Sequence, residues 1–322
     1  MKKLNWGILG LGQIANEFAE VFDVENAVLY AAGSRNDEKA AEFAGKYGIK
    51  KSYGSYDALL ADPAIDVVYI ATPHSHHADL IIQSLEQGKH VLSEKAITMN
   101  NDQLTQAMTL AKEKKLVLAE AMVIYHMPLY RKLKEISQNG SLGKLKMIQV
   151  SFGSLKEEDP TNRFFNKDLA GGALLDIGIY ALSFARFFLT SQPHEVLTTM
   201  NFYETGVDEQ SGILLKNDQN EIASISLTFR AKMPKLGIVA FENGFITVND
   251  FPRADKATLT KPDGSVEIIE AGDTNQAMNY EIADITNMII SDSSDASLAL
   301  THDVMEIMDT LRKDWGLHYD FE

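Results

Sequence analysis

The chain of 322 residues has 45% hydrophobic and 23% charged residues, the proportions of a folded globular protein rather than of a disordered or collagen-like chain. Its formal net charge of −15 gives an acidic surface that repels nucleic-acid phosphates and anionic lipid, so neither nucleic acid nor a membrane is expected as a partner. It contains no cysteine, which excludes disulfides, thiolate nucleophiles and iron–sulfur clusters.

The first part of the chain alternates between short apolar runs and longer amphipathic segments. Runs rich in Val, Ile and Leu without polar alternation are typical of strands buried on both faces, and the segments between them have helical spacing. This alternation predicts a parallel, doubly wound sheet. The predicted strands are Asn5–Leu9, Val28–Ala32, Val67–Ala71, His90–Leu92 and Leu116–Ala119, and the predicted helices are Gln13–Phe22, Glu38–Tyr47, Ser75–Gln87 and Asp102–Lys114.

The pattern changes in the second part, where several strand-like runs alternate in polarity and two turn signals, Asn243-Gly244 and Asp263-Gly264, are typical of hairpins. This part predicts a mostly antiparallel sheet that carries helices, in an α+β domain. We divide the chain into residues 1–122 and residues 123–322. The predicted strands are Met147–Ser151, Val196–Phe202, Gly212–Leu215, Ile222–Thr228 and Gly237–Val248, and the predicted helices are Gly172–Leu189, Gln276–Ile290 and Ser297–Lys313.

No apolar run reaches the roughly 18 residues that a membrane-spanning helix needs. The nearest candidate, Leu174–Leu189, contains Asp176 and Arg186. The N-terminal segment has two lysines before its apolar residues but lacks the unbroken apolar core of a signal peptide. We therefore expect a cytoplasmic protein.

A glycine pattern, G-x-G-x-x-A at residues 10–15, follows the first predicted strand and opens the first predicted helix. In a dinucleotide-binding fold Gly10 permits the tight turn and Gly12 lets the backbone approach a pyrophosphate. The backbone N–H groups at the helix start, on Gln13 and Ile14, then face the anion. The alternative is a helix-start loop that binds nothing, but the strand before it and the helix after it favour cofactor binding.

The end of the second predicted strand indicates which dinucleotide is bound. A site that prefers NAD has an acidic residue here for the ribose hydroxyl, whereas this strand ends in Ser34-Arg35. Arg35 can pair with a 2′-phosphate or stack on adenine, and Ser34 can donate a hydrogen bond, which favours NADP. Asp37 is interpreted as the cap of the following helix. A solvated surface arginine is the alternative for Arg35, and NAD remains possible.

Three histidines, His74, His76 and His77, follow the fourth predicted strand, directly after Thr72-Pro73. They suggest a metal site, but no carboxylate with ligand spacing accompanies them and neighbouring residues on a helix point in different directions. We predict no metal. His74, at the carboxyl end of the strand, is predicted to contact cofactor or substrate.

The next strand ends in Glu94-Lys95, and the carboxyl ends of parallel strands form the ligand crevice of an open sheet. Five motifs stand in order along the chain: Gly10–Ala15, Thr72-Pro73-x-x-x-His77, Gly88–Val91, Glu94-Lys95 and Gly171–Tyr180. In order and spacing they resemble the motifs of the Gfo/Idh/MocA oxidoreductases. Tyr180, where many members have histidine, and Arg163 with Phe164 are similar to the dimeric dihydrodiol dehydrogenase and glucose–fructose oxidoreductase branch of that family.

The resemblance implies a Rossmann domain for NAD(P) in residues 1–122 and an open-faced substrate-binding and oligomerisation domain in residues 123–322. It implies catalysis by Lys95, Tyr180 and Asp176, substrate binding by these three with Arg163, and cofactor contacts from Thr72, Pro73, His74, His77, Glu94 and Lys95. A homodimer or homotetramer paired through the open sheet is expected by the same analogy. One departure is Ala96, which stands where the family usually has proline.

Asp176 and Tyr180 also stand at i and i+4, on one face of a helix. Taken singly, Asp176 could be a helix cap and Tyr180 a buried aromatic. The surrounding helix is very apolar, however, and a buried carboxylate requires a partner.

The predicted function is an NADP-dependent oxidoreductase that moves a hydride between nicotinamide and a secondary alcohol or carbonyl of a sugar, polyol or dihydrodiol. One alternative is a catalytically silent regulator that binds nucleotide or sugar on the same fold, and another is an enzyme that uses NAD. Retention of both Lys95 and Tyr180 favours the enzyme, since a sensor would be free to lose them.

Overall fold

The computed structural model describes residues 3–293, 297–320 and 322. The chain forms two compact units, and each contains one sheet. The first unit consists of Met1–Ala121 with Met278–Leu298, and the second of Met122–Ala277 with Ala299–Glu322.

The first unit is built on a six-stranded sheet whose paired strands are all parallel, in the order β3-β2-β1-β4-β5-β6. The order reverses between β1 and β4, and in such sheets the ligand crevice lies at the carboxyl ends of the strands at this point. The strands are β1 Leu4–Leu9, β2 Ala27–Gly33, β3 Lys51–Tyr53, β4 Val67–Ile70, β5 His90–Glu94 and β6 Leu118–Ala121. The helices between them are α1 Gln13–Val21, α2 Asp37–Tyr47, α3 Tyr56–Leu60, α4 His77–Glu86 and α5 Asn101–Lys114.

The second unit contains an eight-stranded sheet in the order β14-β13-β12-β11-β7-β10-β9-β8. Strands β7 and β10 are parallel and the other paired strands are antiparallel. The strands are β7 Leu145–Gly153, β8 Glu195–Phe202, β9 Asp208–Lys216, β10 Ile222–Thr228, β11 Met233–Phe241, β12 Gly244–Asn249, β13 Lys256–Thr260 and β14 Val266–Glu270. The helices of this half are α6 Pro128–Gln138, α7 Ile179–Phe188, α8 Ala277–Ile290 and α9 Leu298–Trp315.

Helix α8 is grouped with the first unit, although it follows the strands of the second. The Asn279 side chain donates a hydrogen bond to the Val21 carbonyl oxygen at 2.8 Å, and Ile282 is fully buried in the core of the first unit. The division from the sequence, into residues 1–122 and 123–322, places α8 in the second segment. The compact units place nearly all of this helix in the first unit. Amphipathic spacing shows that a helix has an apolar face, but not which core that face joins.

The predicted fold class, a doubly wound parallel sheet with a second α+β domain, is confirmed. The short elements β3 and α3, of 3 and 5 residues, escaped prediction because they are shorter than one clear period of the apolar pattern. The predicted strand Gly237–Val248 is two strands, β11 and β12, that turn at Asn243. The predicted helix Gly172–Leu189 begins with a π-helical turn at Leu174–Gly178 before α7 starts.

Helix α7 is the central helix of the second unit. Its Phe184 is fully buried, and a Cβ atom at Gly237 on β11 would lie 2.2 Å from the Phe184 ring, so the glycine lets the helix pack closely on the sheet. Among the described residues, one helical segment, Lys167–Phe188, is long and apolar enough to cross a membrane, but 83% of its most apolar window is buried in the fold. Such burial is typical of a core helix in a folded domain.

Candidate active site

The glycine loop after β1 packs directly on the loop after β4. Gly10 has φ +89°, and a Cβ atom there would lie 2.8 Å from the Thr72 side chain and 2.9 Å from the Ala71 carbonyl oxygen. Only glycine has neither the conformational penalty nor this clash. The predicted tight turn therefore brings two strand ends together at the reversal of strand order.

The start of α1 has the properties of a dinucleotide phosphate site. A Cβ atom at Gly12 would meet no other part of the described chain within 4 Å, and no side chain caps the helix, whose first turn contains no acidic residue. The first N–H groups, on Gln13 and Ile14, have no partner within a helix. The buried Thr72 hydroxyl also has no hydrogen-bond partner in the described chain. These unpaired groups and the open space at Gly12 fit the pyrophosphate of NAD(P).

The end of β2 presents one buried and one exposed side chain. Ser34 is 8% exposed and its hydroxyl accepts a hydrogen bond from the Asn36 N–H at 3.3 Å. Arg35 is exposed and forms no ion pair with the part of the chain that the structure describes. The interpretation of Asp37 as the cap of α2 is wrong: Asn36 is the cap and accepts from the Lys39 N–H at 2.8 Å, while Asp37 begins the helix.

Two histidines bind the backbone on either side of the Lys95–Ala96 peptide bond, which is cis. His77 is 1% exposed, and its Nδ1 and Nε2 atoms each lie 2.8 Å from a carbonyl oxygen, of Ala96 and Thr72 respectively. His74 Nε2 lies 3.1 Å from the Lys95 carbonyl oxygen. Burial lowers the pKa of His77. The histidines thus hold the residue that carries the candidate catalytic amine.

These contacts also bear on the metal hypothesis. Both ring nitrogens of His77 face backbone carbonyls, and His76 is exposed. Within the described ranges, one group of possible ligands lies within 4.8 Å of one another, His302, Asp303 and Glu306 on α9. Arg186 already pairs with Asp303 at 2.7 Å there.

Replacing His77 with leucine is expected to lower the free energy of unfolding by about 1–3 kcal/mol, because the carbonyl oxygens of Ala96 and Thr72 lose their contacts with the buried ring, whose one N–H binds one of them. Urea denaturation measures this loss. His76→Leu, an exposed neighbour, is the control and is expected to change stability by less than about 0.5 kcal/mol. Equal denaturation midpoints for the two variants would show that His77 does not hold the loop.

Glu94, at the carboxyl end of β5, accepts a hydrogen bond from the Tyr69 hydroxyl. Tyr69 is 1% exposed and its ring stacks on Phe18 at 3.9 Å between centroids. The sequence reasoning missed Tyr69. The only signal was a hydroxyl within a strand otherwise formed by apolar residues.

In the second unit, Asp176 lies in the π-helical turn and Tyr180 in the first turn of α7. Arg163 Nη1 lies 3.8 Å from Asp176 Oδ1, with 62% of the arginine side chain and 13% of the aspartate side chain exposed. The Arg163 guanidinium also lies over the Phe164 ring at 4.2 Å. The structure therefore brings together a carboxylate, a guanidinium and, one helical turn later, the half-buried Tyr180.

Asp176 is not the cap of its helix. The first N–H groups of the helix are bound by Asp208, at the start of β9, whose Oδ2 accepts from the Leu174 N–H at 2.7 Å. The N–H group of Leu174 at the helix start is therefore bound by Asp208 and not by Asp176. Sequence reasoning missed Asp208, because nothing local marks a residue that caps a helix 34 positions away.

The predicted site residues fall into two groups, one in each compact unit. The cofactor loops, Glu94 and Lys95 lie at the carboxyl ends of the strands of the first unit, whereas Arg163, Asp176 and Tyr180 lie in the second. A glycine loop at a helix start in a six-stranded parallel sheet, with a lysine after another strand of the same sheet, is typical of nucleotide-dependent oxidoreductases.

The chain belongs to the GFO/IDH/MocA oxidoreductase family. Residues 4–122 match the family model described as "Oxidoreductase family, NAD-binding Rossmann fold", and residues 130–247 match the GFO/IDH/MocA C-terminal domain. The resemblance proposed from the motifs is confirmed, as is the class of enzyme.

Relatives in several organisms cover most of the chain. A trans-1,2-dihydrobenzene-1,2-diol dehydrogenase of Xenopus laevis is 31% identical over 98% of both chains. A D-xylose 1-dehydrogenase (NADP(+)) of Hypocrea jecorina is 35% identical over 71% of this chain and 66% of its own. Among solved structures, a levoglucosan dehydrogenase in complex with NADH and L-sorbose has the same fold, with a TM-score of 0.89 at 21% identity over 98% of this chain and 97% of its own.

Proposed function

We propose that the protein is an NADP-dependent oxidoreductase that interconverts a secondary alcohol and a carbonyl on a sugar, cyclic polyol or dihydrodiol. The observation that carries the proposal is the placement of Lys95 directly after β5, beside the loops that fit a dinucleotide. Its carbonyl oxygen is held by His74, and that of the next residue, Ala96, by His77. Membership of the oxidoreductase family supports the same reaction class.

The substrate class is supported by the relatives and by the polar groups of the second unit. The dihydrodiol dehydrogenase and the xylose dehydrogenase are both named for compounds with neighbouring hydroxyl groups. The carboxylate of Asp176 accepts hydrogen bonds from hydroxyls, and the guanidinium of Arg163 donates to hydroxyl or carbonyl oxygens. We assign these two side chains to orientation of the substrate.

Lys95 and Tyr180 are assigned to proton transfer. NADPH, when bound, would supply a hydride to the carbonyl carbon, and the carbonyl oxygen, which gains negative charge, would need a proton. The Tyr180 hydroxyl donates that proton, and the Lys95 ammonium stabilises the phenolate that remains. Gly10, Gly12, Gln13, Ile14, Thr72 and Pro73, with Ser34 and Arg35, would hold the cofactor.

A panel of ketoses, dicarbonyls, aldoses and trans-dihydrodiols tests this proposal when assayed with NADPH and with NADH. We expect turnover with at least one sugar-like or diol compound and a lower KM for NADPH than for NADH. Binding of nucleotide with no turnover of any compound would instead support a silent regulator on the same fold. A lower KM for NADH would identify an NAD enzyme.

Replacing Arg35 with alanine is expected to weaken NADPH binding by about 1.5–3 kcal/mol, because the 2′-phosphate loses a charged hydrogen-bond partner. NADH, which lacks that phosphate, should bind almost as before. Fluorescence titration with both nucleotides measures the difference, and Lys39→Ala on the exposed side of α2 is the control. Equal losses for both nucleotides would mean that Arg35 stacks on adenine or supports the loop. No loss for either nucleotide would mean that Arg35 is a solvated surface arginine with no part in cofactor binding.

We also propose that the protein pairs through the sheet of the second unit, as a homodimer or homotetramer. One face of that sheet exposes apolar side chains on five strands, and contiguous exposed apolar surface is typical of interfaces. The register places Leu197 opposite Leu214 on this face, and Ala240, opposite Phe245, continues it. These exposed residues are Leu197, Leu214, Met147, Phe245, Val266 and Ile268. Sedimentation as a monomer would contradict the pairing.

A further inference from the structure

The helix that carries Asp176 and Tyr180 begins against a buried carboxylate. Asp208 is fully buried, and its Oδ2 atom accepts a hydrogen bond from the Leu174 N–H at 2.7 Å. Its Oδ1 atom is buried and makes no hydrogen bond within the described chain. A carboxylate at a helix N-terminus interacts favourably with the aligned N–H groups and the helix dipole.

Gly172 makes this contact possible. Its φ is +127°, and a Cβ atom there would lie 2.3 Å from Asp208 Oδ1. The Gly172 N–H donates to the Phe164 carbonyl oxygen at 2.9 Å, so the same turn also holds the segment that carries Arg163. Short contacts thus connect Asp208 both to the helix start that carries Asp176 and to the segment that carries Arg163.

The ionisable groups that face Asp208 come from the C-terminal part of the chain. The Tyr319 hydroxyl donates to the Gly171 carbonyl oxygen at 2.6 Å, and the Arg312 guanidinium lies 5.0 Å from the Tyr319 ring centre and pairs with Glu322. Burial raises the pKa of Asp208 to about 7, while the bound N–H groups and the charge of Arg312 act in the opposite direction. Burial and the charge of Asp208 raise the pKa of Tyr319.

We infer that Asp208 is a positioning residue for the reaction and that its ionised form holds the start of the helix bearing Asp176 and Tyr180 in the active arrangement. This inference rests on the proposed function of those two residues. Asp208 itself is buried beneath the helix start and acts only through it.

Ionisation of Asp208 is expected to change activity and stability in opposite directions as the pH rises. Because the ionised carboxylate binds the helix N–H groups more strongly than the neutral acid, kcat is expected to fall several-fold between about pH 8 and pH 6. Folding, in contrast, favours the neutral acid, since burial raises the carboxyl pKa above its unfolded value. The stability advantage of the neutral acid is complete below about pH 4 and is lost as the pH rises to about 7. Between about pH 6 and pH 7, where the two windows overlap, activity is therefore expected to rise with pH while stability falls.

Asp208→Asn tests the inference, with Glu221→Gln as a matched control. Glu221 is also buried and accepts a backbone N–H, that of Thr190 at 2.9 Å, just beyond the other end of α7. The measurements are kcat and KM across pH 6–8, the urea midpoint across pH 4–8, and deuterium exchange of the backbone amides 172–176. Exchange needs neither cofactor nor substrate and so reports on the helix directly.

We expect Asp208→Asn to speed exchange at these amides, to lower kcat about tenfold at pH 8 with KM for NADPH unchanged, and to remove both pH dependences. Glu221→Gln should keep both. Unchanged exchange in Asp208→Asn would overturn the inference, as would faster exchange with unchanged kcat.

If Asp208→Asn fails to fold, Tyr319→Phe is tested in its place. Tyr319→Phe should speed exchange at the same amides yet keep the pH dependence of kcat. A loss of that dependence would overturn the role of Asp208. If the wild type turns over no compound of the panel, the proposed function fails and the catalytic part of this inference with it, while exchange still decides whether Asp208 holds the helix.

Discussion

Replacement of Tyr180 with phenylalanine is expected to lower kcat by about 10²–10⁴-fold and to leave the dissociation constant of NADPH nearly unchanged. The change removes one hydroxyl and keeps the ring, which is half-buried and lies 6.4 Å from the Phe152 ring between centroids. Packing is therefore preserved. The loss should fall on the proton-transfer step.

The size of this loss follows from the acidity that the step requires. An ordinary tyrosine has a pKa near 10, about three units too high for efficient proton transfer at neutral pH. A lysine ammonium within roughly 4–6 Å of a phenolate lowers such a pKa by one to three units, and the positive ring of the oxidised cofactor adds to this effect. We propose that Lys95 acts on Tyr180 in this way, and loss of the tyrosine hydroxyl is therefore expected to cause a large fall in rate.

Steady-state kinetics with the substrate found in the panel measure the effect. Tyr203→Phe, which removes a hydroxyl from the same unit outside the candidate site, is the control and is expected to keep kcat within about twofold. Near-normal turnover in Tyr180→Phe would mean that another group is the acid, with Lys95 first in line and His74 second.

Replacement of Lys95 with alanine is expected to be at least as damaging as Tyr180→Phe, because the charge that stabilises the phenolate and a contact to the substrate are lost together. The backbone of Lys95 is held through its carbonyl oxygen by His74, so removal of the side chain should leave the loop in place. Unfolding by urea, compared with the wild type, checks that the loss is not one of stability.

Lys95→Met refines this test, because it keeps the length of the side chain and removes the charge. We expect the pH at which carbonyl reduction declines on the alkaline side to move up by about one to three units. Lys112→Ala, an exposed lysine on α5, serves as the control. A Lys95→Met variant with wild-type kcat and an unmoved pH profile would contradict the assignment.

Sequence reasoning was most successful where one residue type has one physical reason to be present. The buried strand β4 is an unbroken apolar run, and Gly10 is required by both its φ and its close neighbours. These features are local, so they can be recognised in a single sequence. The same holds for the hairpin at Asn243, although its two strands were predicted as one.

Features that depend on distant partners escaped prediction. The helix α8 is amphipathic, but its spacing does not reveal which core it joins. Asp208 carries no local sign that it caps a helix 34 residues earlier, and Gly172 is explained only when that carboxylate is seen beside it. His77 was assigned to the cofactor, and the structure places both of its ring nitrogens on backbone carbonyls.

In the proposed reaction a hydride passes between the nicotinamide and a sugar-like carbonyl on this protein. NADPH labelled with deuterium at C4, prepared separately with each of the two C4 hydrogens replaced, tests it with the carbonyl compound that the panel identifies. We expect one of the two labelled forms to deliver deuterium to the carbinol carbon of the product, and no deuterium to enter that carbon from heavy water. Retention of deuterium in the nucleotide from both labelled forms, with product formed, would contradict it.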